Sequence, residues 1–337
     1  MRAGTNSKWE LHLTLARVCG RIAAPCLGES CMTAMMETCH SIDELARVLN
    51  GRRVSLAMGF FDGVHLGHRR VLDAAGAPDS VRAVMSFANH PASVLRPQAH
   101  PALLTPTPEH KNHLLEQAGM QVHLCLPFTQ ELADTEAEPF LDSLRGALNV
   151  ACFSVGSNWH FGSKGSGNTD TLRAYGERHG IRVAVNELLE RGGARVSSSR
   201  IRELLAQGRL EEATALLGHP FAIHGVVEHG RHLGRTIGFP TANVTPPPHS
   251  CLPPFGVYAV SAVIDGAEVH GIANIGLRPT IDESRKLPRL EAHFPNWSGN
   301  LYNAPLTVAL HSFIRPEQKF ASVDELQKAI QRDLLEI

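Results

Sequence analysis

The pattern of predicted strands and helices changes near residue 218 of this 337-residue chain, and this change limits the possible folds more than any other feature. Before it, apolar runs of strand length at residues 54–58, 81–87 and 122–126 alternate with helical patterns. Such alternation is typical of a parallel sheet covered by helices on both faces. After Pro220 the chain carries short β-rich runs separated by Gly, Pro and Asn, and then one final helical pattern. These runs predict a small antiparallel barrel or sandwich.

The length also favours two domains, because 337 residues exceed the usual size of a single hydrophobic core. The first residues lack a regular pattern, and Arg17 and Arg21 interrupt their apolar segment, which therefore does not match a signal peptide. We expect a disordered extension or an upstream start codon, with a targeting segment as the alternative. The predicted divisions are an extension over 1–40, a first domain over 41–207 and a second over 208–337.

The charge and cysteine content exclude several classes of protein. The 32 Lys and Arg side chains are balanced by 33 Asp and Glu, so no basic surface for nucleic acid is predicted. The seven cysteines are scattered without Cys-x-x-Cys spacing, which favours reduced thiols in the cytoplasm. No apolar run approaches the ~18 residues of a membrane span. We therefore expect a cytoplasmic protein that binds small molecules, without nucleic-acid or membrane partners, as a monomer or transient homo-oligomer.

A glycine-punctuated segment at residues 59–68 lies between the first predicted strand and a helix. In an open α/β sheet, ligands bind at this position. Glycines allow the backbone to approach phosphate oxygens, and the N–H groups at the helix start point at the anion. His65 and His68 can face the same phosphates and stabilise charge on the α-phosphate and the leaving pyrophosphate. The alternative is a glycine turn with two surface histidines.

A second segment, at residues 197–202, begins a helix with three serines and carries Arg202. The hydroxyls can cap the helix and donate to a phosphate, and the guanidinium can reach a triphosphate. The alternative is an ordinary capping box with solvated arginines. Together the two segments predict a nucleotide site formed by Gly59, Phe60, Asp62, Gly63, Gly67, Ser197, Ser198, Ser199 and Arg202.

The second half of the chain has no Gly-x-x-x-x-Gly-Lys-Ser/Thr sequence, so a P-loop kinase is excluded. It has instead Gly-Arg-Thr-Ile-Gly-Phe-Pro-Thr-Ala-Asn at residues 234–243. The hydroxyl of Thr241 and the amide oxygen of Asn243 are ligands that suit a hard Mg²⁺ ion. The alternative is a β-turn in which Asn243 bonds its own backbone.

These motifs, with several others in fixed order over about residues 41–335, resemble the prokaryotic bifunctional riboflavin kinase/FAD synthetase family. Gly-Phe-Phe-Asp-Gly-Val-His-Leu-Gly-His is similar to the opening motif of that family, and Gly-Phe-Pro-Thr-Ala-Asn to its riboflavin kinase signature. The resemblance implies an α/β nucleotidyltransferase domain, Rossmann-like with a parallel sheet, followed by a small antiparallel β-barrel riboflavin kinase domain. It also implies ATP-dependent phosphorylation of riboflavin to FMN and adenylylation of FMN to FAD with release of pyrophosphate.

The resemblance further implies roles for single residues. Glu291 matches the general base for the ribityl 5′-hydroxyl, although its strand-like surroundings alone favour an ordinary solvent-facing acid. Thr241 and Asn243 match residues that hold Mg²⁺ and the ATP phosphates, and Gly234 belongs to the same nucleotide-binding signature. The implied flavin contacts are Asn158, Arg278 and Arg315.

One segment departs from the family pattern. Where the family usually has an acidic pair or an acid-Asn pair after Val-Gly, this chain has Ser157-Asn158-Trp159-His160, so a negative charge is lost. Two alternatives therefore stay open: a riboflavin kinase with a weak or altered nucleotidyltransferase domain, and a flavin-binding regulator. The presence of Thr241, Asn243 and Glu291 argues against the regulator, because binding alone needs no base.

Overall fold

A parallel sheet forms the first part of the computed structural model, which describes residues 36–96, 98, 101–230, 234, 237–277 and 287–337. Its spatial order is β1-β4-β3-β2-β5-β6, and every neighbouring pair is parallel. The predicted parallel sheet is thus confirmed. The strands are β1 (Glu37–Cys39), β2 (Arg53–Met58), β3 (Val81–Phe87), β4 (Val122–Leu126), β5 (Asn149–Gly156) and β6 (Arg182–Asn186).

Helices cover both faces of the sheet, because its strands are apolar on both sides. In β2, Ala57 packs on one face with α2 and α4, whereas Leu56 and Met58 pack on the other with α1, α6 and α7. Most of these helices begin at a side-chain cap; Ser41, for example, accepts from the Glu44 N–H at 3.1 Å. The helices are α1 (Ile42–Leu49), α2 (Leu66–Ala74), α3 (Pro91–Leu95), α4 (Pro108–Gln117), α5 (Gln130–Asp134), α6 (Ala137–Ala147) and α7 (Thr169–His179).

The edge strand β1 lies within the extension that the sequence predicted to reach residue 40. It pairs in parallel with β4, and Cys39 is fully buried. Three residues are too few to show an alternating pattern, which is why the sequence did not reveal this strand. Residues 1–35 lie outside the described part of the chain.

The strand order creates a crevice between β2 and β5. After β2 the chain passes through α2, on one face of the sheet, to β3. After β5 it passes through α7, on the opposite face, to β6. Ligands of open α/β sheets bind at such a switch point, outside the carboxyl ends of the strands. The predicted phosphate loop follows β2, and the segment with Asn158 follows β5.

The second part of the chain is a closed antiparallel barrel with the order β10-β13-β12-β11-β14-β9. Buried positions alternate along β9, so its apolar side chains fill the interior. The barrel interpretation is therefore confirmed over the sandwich. Between the sheet and the barrel lie β7 (Glu190–Arg191), β8 (Ala194–Arg195), α8 (Ser198–Ala206) and α9 (Leu210–Leu217). The barrel consists of β9 (Phe221–Glu228), β10 (Ala242–Val244), β11 (Gly256–Ile264), β12 (Ala267–Leu277), β13 (Pro288–His293) and β14 (Pro305–Arg315), followed by α10 (Val323–Asp333).

One hydrophobic cluster joins α8 and α9 to the barrel. Leu205 of α8 and Leu216 of α9 are buried in the same cluster as Phe221 and Leu310. The cluster crosses the division predicted between residues 207 and 208: the buried side chains of α8 pack toward the barrel, while its first residues line the cleft at the sheet. In the described part of the chain, none of the helices has the length and apolarity that crossing a membrane requires.

Candidate functional site

A cleft of about 550 Å³ opens at the carboxyl ends of β2 and β5. Its lining includes the loop after β2, residues after β5, the start of α8, His90, and residues 186–189 at the end of β6. Because α2 and α8 both begin here, their free N–H groups favour an anion in the cleft. The predicted residues in its wall are Gly59, Phe60, Asp62, His65, Gly67, His68, Asn158, Ser197, Ser198, Ser199 and Arg202.

The carboxylate of Asp62 is buried and fully engaged by protein donors. Its Oδ1 accepts from the N–H groups of Leu104 and Thr105 at 2.9 and 3.0 Å, and its Oδ2 accepts from Arg202 Nη1 at 2.8 Å. The side chain is 3% exposed. Asp62 was predicted as a nucleotide contact and lines the cleft; its carboxylate also anchors the loop to α8.

The start of α8 combines both interpretations of the serine segment. Ser197 caps the helix by accepting from the Arg200 N–H at 3.3 Å, as the capping alternative predicts. Ser198 Oγ donates to the Asp62 carbonyl at 2.9 Å, and Ser199 Oγ accepts from Arg202 at 3.2 Å. The Arg202 side chain is 22% exposed and paired with Asp62, so it is not a solvated arginine. All of these groups border the cleft.

Gly63 is not part of the cleft wall, although it was predicted as a nucleotide contact. Its φ of +82° is unfavourable for other residues, and a Cβ there would lie 2.6 Å from Leu104 Cδ1. Its N–H donates to Thr105 Oγ1 at 3.2 Å. Gly63 thus serves the turn itself, on the side of the loop that faces away from the cleft.

His65 and His68 stack with ring centroids 3.5 Å apart at the start of α2. Nδ1 of His65 accepts from the His68 N–H at 3.2 Å, which caps the helix and leaves the His65 proton on Nε2. Burial lowers the pKa of His65 to about 4 and the pKa of His68 well below its usual value. Both rings are therefore neutral at pH 7. They can stabilise a phosphate as neutral hydrogen-bond donors.

Two residues behind the loop were absent from the predicted site. His90 lines the cleft with its ring 4.6 Å from that of Phe60. Lys111 is buried, donates to the Phe60 carbonyl at 3.3 Å and lies 4.4 Å from the centre of the Phe60 ring. The His-Pro sequence at residues 90–91 is the feature that could have identified His90. The helical sequence pattern around Lys111 does not distinguish it from a solvated lysine.

The segment that departs from the family pattern forms one wall of the cleft. Asn158, Trp159 and His160 line it, whereas Ser157 does not. The indole of Trp159 stacks on Phe161 with centroids 4.3 Å apart. An aromatic surface therefore lies beside the amide of Asn158 and can pack against a flat ring of a ligand.

The barrel carries two cavities that meet at Thr241. One, of about 200 Å³, is lined by Thr241, Asn243 and a mostly apolar rim that includes Trp297 and Tyr302. The other, of about 310 Å³, lies between the barrel and α10 and contains the predicted residues Gly234, Thr241, Glu291 and Arg315. The remaining predicted flavin contact, Arg278, lies outside the described residues.

Glu291 is an exposed carboxylate that lines the larger cavity. The register of β13 sets it directly opposite Asn243 on β10 and Asn274 on β12, so the three side chains share one face of the barrel. Glu291 is exposed and makes no hydrogen bond or ion pair with residues that the structure describes. A carboxylate without a protein partner can accept a proton from a bound hydroxyl.

Asn243 lies in a strand, not in the turn that the alternative proposed. Its side chain is 6% exposed; Nδ2 donates to the Thr241 carbonyl at 3.3 Å, and Oδ1 accepts from Arg289 at 3.2 Å. The buried Arg289 is in turn paired with Glu228 at 3.0 Å. Oδ1 of Asn243 keeps a second lone pair beside Thr241. This amide oxygen and the Thr241 hydroxyl therefore suit a hard cation that takes its other ligands from phosphates and water.

Arg315 ties α10 to the barrel. Its guanidinium donates to both carboxylate oxygens of Asp333, with Nε at 2.9 Å from Oδ1 and Nη2 at 2.7 Å from Oδ2. Asp333 is 4% exposed. Arg315 lines the larger cavity, where it was predicted to contact the flavin, and its pairing with Asp333 also holds the cavity wall in place.

Comparisons with known proteins agree with this division of the chain. A family model described as FAD synthetase matches residues 49–200, and one described as riboflavin kinase matches residues 217–337. A bifunctional riboflavin kinase/FMN adenylyltransferase of Escherichia coli (strain K12) is 40% identical, covering 83% of this chain and 90% of that protein. The protein of the same name from Bacillus subtilis (strain 168) is 37% identical, over 82% of this chain and 89% of its own length.

A solved structure supports the same architecture. A crystal structure described as a macrolide-efflux protein from Streptococcus pneumoniae superimposes with a TM-score of 0.75 at 26% identity, covering 90% of this chain and 98% of that one. Its fold matches the parallel sheet followed by the barrel. From both family models and the curated relatives, the chain belongs to the bifunctional riboflavin kinase/FMN adenylyltransferase family.

Proposed function

We propose that the barrel phosphorylates riboflavin to FMN with ATP and that the α/β cleft then adenylylates FMN to FAD with release of pyrophosphate. The observation that carries this proposal is the exposed carboxylate of Glu291 in a cavity that shares Thr241 with a second cavity. A phosphoryl donor and a hydroxyl acceptor can each occupy one cavity and meet at Thr241. The proposed domains are those predicted from the sequence, 41–207 and 208–337.

In the kinase step, ATP occupies the smaller cavity, with its adenine against the rim of Trp297 and Tyr302. Riboflavin occupies the larger cavity between the barrel and α10, where apolar side chains such as Phe320 and Ile330 suit the isoalloxazine ring. The ribityl 5′-oxygen attacks the γ-phosphorus, its proton passes to Glu291, and the bond to the leaving ADP breaks.

Thr241 and Asn243 would hold Mg²⁺ through the hydroxyl and the amide oxygen. Both donors are neutral and hard, and the close approach of Gly230, where a Cβ would lie 2.6 Å from Asn243 Nδ2, keeps the amide in one orientation. When bound, the ion supplies charge neutralisation on the transferred phosphates. The pairing of Arg289 with Glu228 keeps a second cationic charge balanced behind Asn243.

In the adenylyltransferase step, a phosphate oxygen of FMN attacks the α-phosphorus of ATP and pyrophosphate leaves. The nucleophile is already an anion, so alignment and charge stabilisation matter more than a general base. The starts of α2 and α8, Arg202 and the neutral donors His65 and His68 supply that stabilisation. Asn158 and Trp159 lie where they can contact the flavin or the adenine.

A cytoplasmic location is also part of the proposal. Cys39, Cys125, Cys152 and Cys251 are free and buried in the described structure. Burial raises the pKa of each of these thiols, so they remain protonated and unreactive. Free thiols of this kind are typical of a reducing compartment.

The kinase half is tested with Glu291→Gln, which keeps the shape of the side chain and removes its basicity. We expect FMN formation to fall by ~10²-fold or more, with riboflavin binding nearly intact. FAD formation from supplied FMN serves as the internal control and should persist. Near-normal FMN production by this variant would contradict the assignment of the base.

The adenylyltransferase half is tested by replacing His65 and His68 together with Ala. Each lost donor is typically worth ~2.7–4 kcal/mol in such sites, so FAD formation from FMN and ATP should be strongly suppressed. Riboflavin phosphorylation should stay within a few-fold of the parent, because it uses the barrel. If FAD forms at the parental rate, the cleft is not the adenylylation site.

A further inference from the structure

The connection between α9 and β9 lies against the loop that follows β2. His219 Nε2 is 3.0 Å from the carbonyl oxygen of Gly63. The preceding Gly218 approaches α2 so closely that a Cβ would lie 2.4 Å from Leu66 Cδ2, and its φ is +81°. Leu217 also reaches the loop, with Cδ2 3.3 Å from a Cβ at Gly63. Three consecutive residues from the barrel side therefore contact the turn that leads into α2.

This turn is strained. Phe61 and Val64 have φ values of 55° and 39°, in a region that side chains with a Cβ, and above all β-branched ones, rarely adopt. Such residues persist only where their surroundings over-determine the backbone. The Asp62–Gly63 peptide is held on both sides: its N–H donates to Thr105 Oγ1 at 3.2 Å, and its carbonyl accepts from Ser198 Oγ at 2.9 Å.

The next peptide, Gly63–Val64, presents the Gly63 carbonyl, and His219 holds it. Nδ1 of His219 lies 3.0 Å from the Pro220 carbonyl. A carbonyl oxygen only accepts, so each ring nitrogen must carry a proton to bond its carbonyl. The doubly protonated ring makes both hydrogen bonds, and the neutral ring with its proton on Nε2 keeps the one to Gly63. Val64 is followed directly by His65, the cap of α2, so a displaced Gly63 carbonyl also displaces His65.

We propose that His219 is a positioning residue for adenylylation, which holds the Gly63 carbonyl and thereby keeps His65 and the first turn of α2 where ATP phosphates are received. The inference rests on the proposed adenylyltransferase role of the cleft. His219 does not line that cleft, so it acts through the loop and not on the substrate. Because misplaced donors are felt most where charge develops in the transition state, the effect falls on kcat more than on KM.

The test compares three variants of the full chain. His219→Leu removes the donor, His219→Gln keeps an amide N–H that can reach Gly63, and His224→Leu is the matched control. His224 is a half-buried histidine on β9 that bonds Thr307 at 2.8 Å and stacks near His110, without contact to the loop. The measurements are kcat and KM for FAD formation from supplied FMN and ATP, with riboflavin phosphorylation in the same preparation.

We expect His219→Leu to lose about tenfold in kcat for FAD formation, with KM for ATP and riboflavin phosphorylation within about twofold of the parent. His219→Gln should recover most of that loss, and His224→Leu should behave like the parent. Parental FAD formation by His219→Leu, equal losses in the Leu and Gln variants, or a parallel loss of both activities would each overturn the inference. If the parent itself forms FMN but no FAD, the proposed function of the cleft fails, and the inference fails with it.

Discussion

Replacing Asp62 with Asn tests whether its buried carboxylate joins the loop after β2 to α8. Asn can keep Oδ1, which accepts from Leu104 and Thr105 at 2.9 and 3.0 Å. It places an amide N–H₂ where Oδ2 accepts from Arg202 at 2.8 Å, so two donors then face each other. The substitution therefore removes the ion pair while leaving the volume of the side chain unchanged.

The expected loss of stability is large, because one partner of a buried pair stays behind. Breaking such a pair costs roughly 3–5 kcal/mol. Arg202 is 22% exposed and Asp62 only 3%, so we expect the lower end, about 3 kcal/mol. The matched control is Glu212→Gln in the pair with Arg209, whose side chains are 54% and 51% exposed. An exposed pair contributes about 1 kcal/mol or less.

The assay is urea-induced unfolding, with hydrogen exchange of the β2 amides to report on the α/β domain. Asp62→Asn should also reduce FAD formation from FMN, because the loop and Arg202 lose their common anchor. Riboflavin phosphorylation should continue, since Thr241 and Glu291 lie in the barrel. The reasoning is refuted if the free energy of unfolding of Asp62→Asn lies within about 1 kcal/mol of that of Glu212→Gln. The buried carboxylate would then contribute no more than an exposed one.

Three further predictions address acid stability, the flavin cavity and the N-terminus. Burial lowers the pKa of three histidines from 6.5 to about 4, 3 and 3, so the unfolded chain binds more protons below pH 6.5 and stability is lost as pH falls from there. The residues are His65, His110 and His123, and at pH 5 each should lower the free energy of unfolding by ~2 kcal/mol. Urea unfolding at pH 7 and pH 5 measures this loss, and an unfolding free energy that is the same at both pH values would contradict it. Arg315→Gln leaves the buried Asp333 unpaired and should raise KM for riboflavin while FAD formation from FMN is unchanged, and an unaltered KM would count against it. A chain that starts at Met36 keeps β1 and should retain both activities, whereas a large loss of soluble protein would show that residues 1–35 are needed.

Long buried elements were predictable because their sequence shows which side faces the core. The apolar run at 81–87 coincides with β3, which is buried at most of its positions. Short elements without an unbroken apolar run were not: β1, β10, α3 and α5 are too short to complete a periodic pattern.

The cleft was predictable because the carboxyl ends of parallel strands meet at a switch point, which brings the loop after β2 to Asn158 and α8. The roles of single loop residues were not. Whether Asp62 and Gly63 face the ligand or the protein depends on Leu104 and Thr105, which belong to a distant segment. The same holds for Arg315, whose partner Asp333 lies on another element. A motif identifies a segment, and only tertiary contacts decide which side of it binds.

The central claim is that one chain converts riboflavin to FAD in two steps at two sites. Incubation of the full chain with riboflavin, ATP and Mg²⁺, sampled over time and resolved into flavins and nucleotides, tests it directly. We predict that FMN appears first and FAD follows after a lag, with one ADP formed for each riboflavin phosphorylated and one pyrophosphate for each FAD. FMN that accumulates without FAD would contradict the adenylyltransferase assignment, and riboflavin that binds without conversion would contradict both.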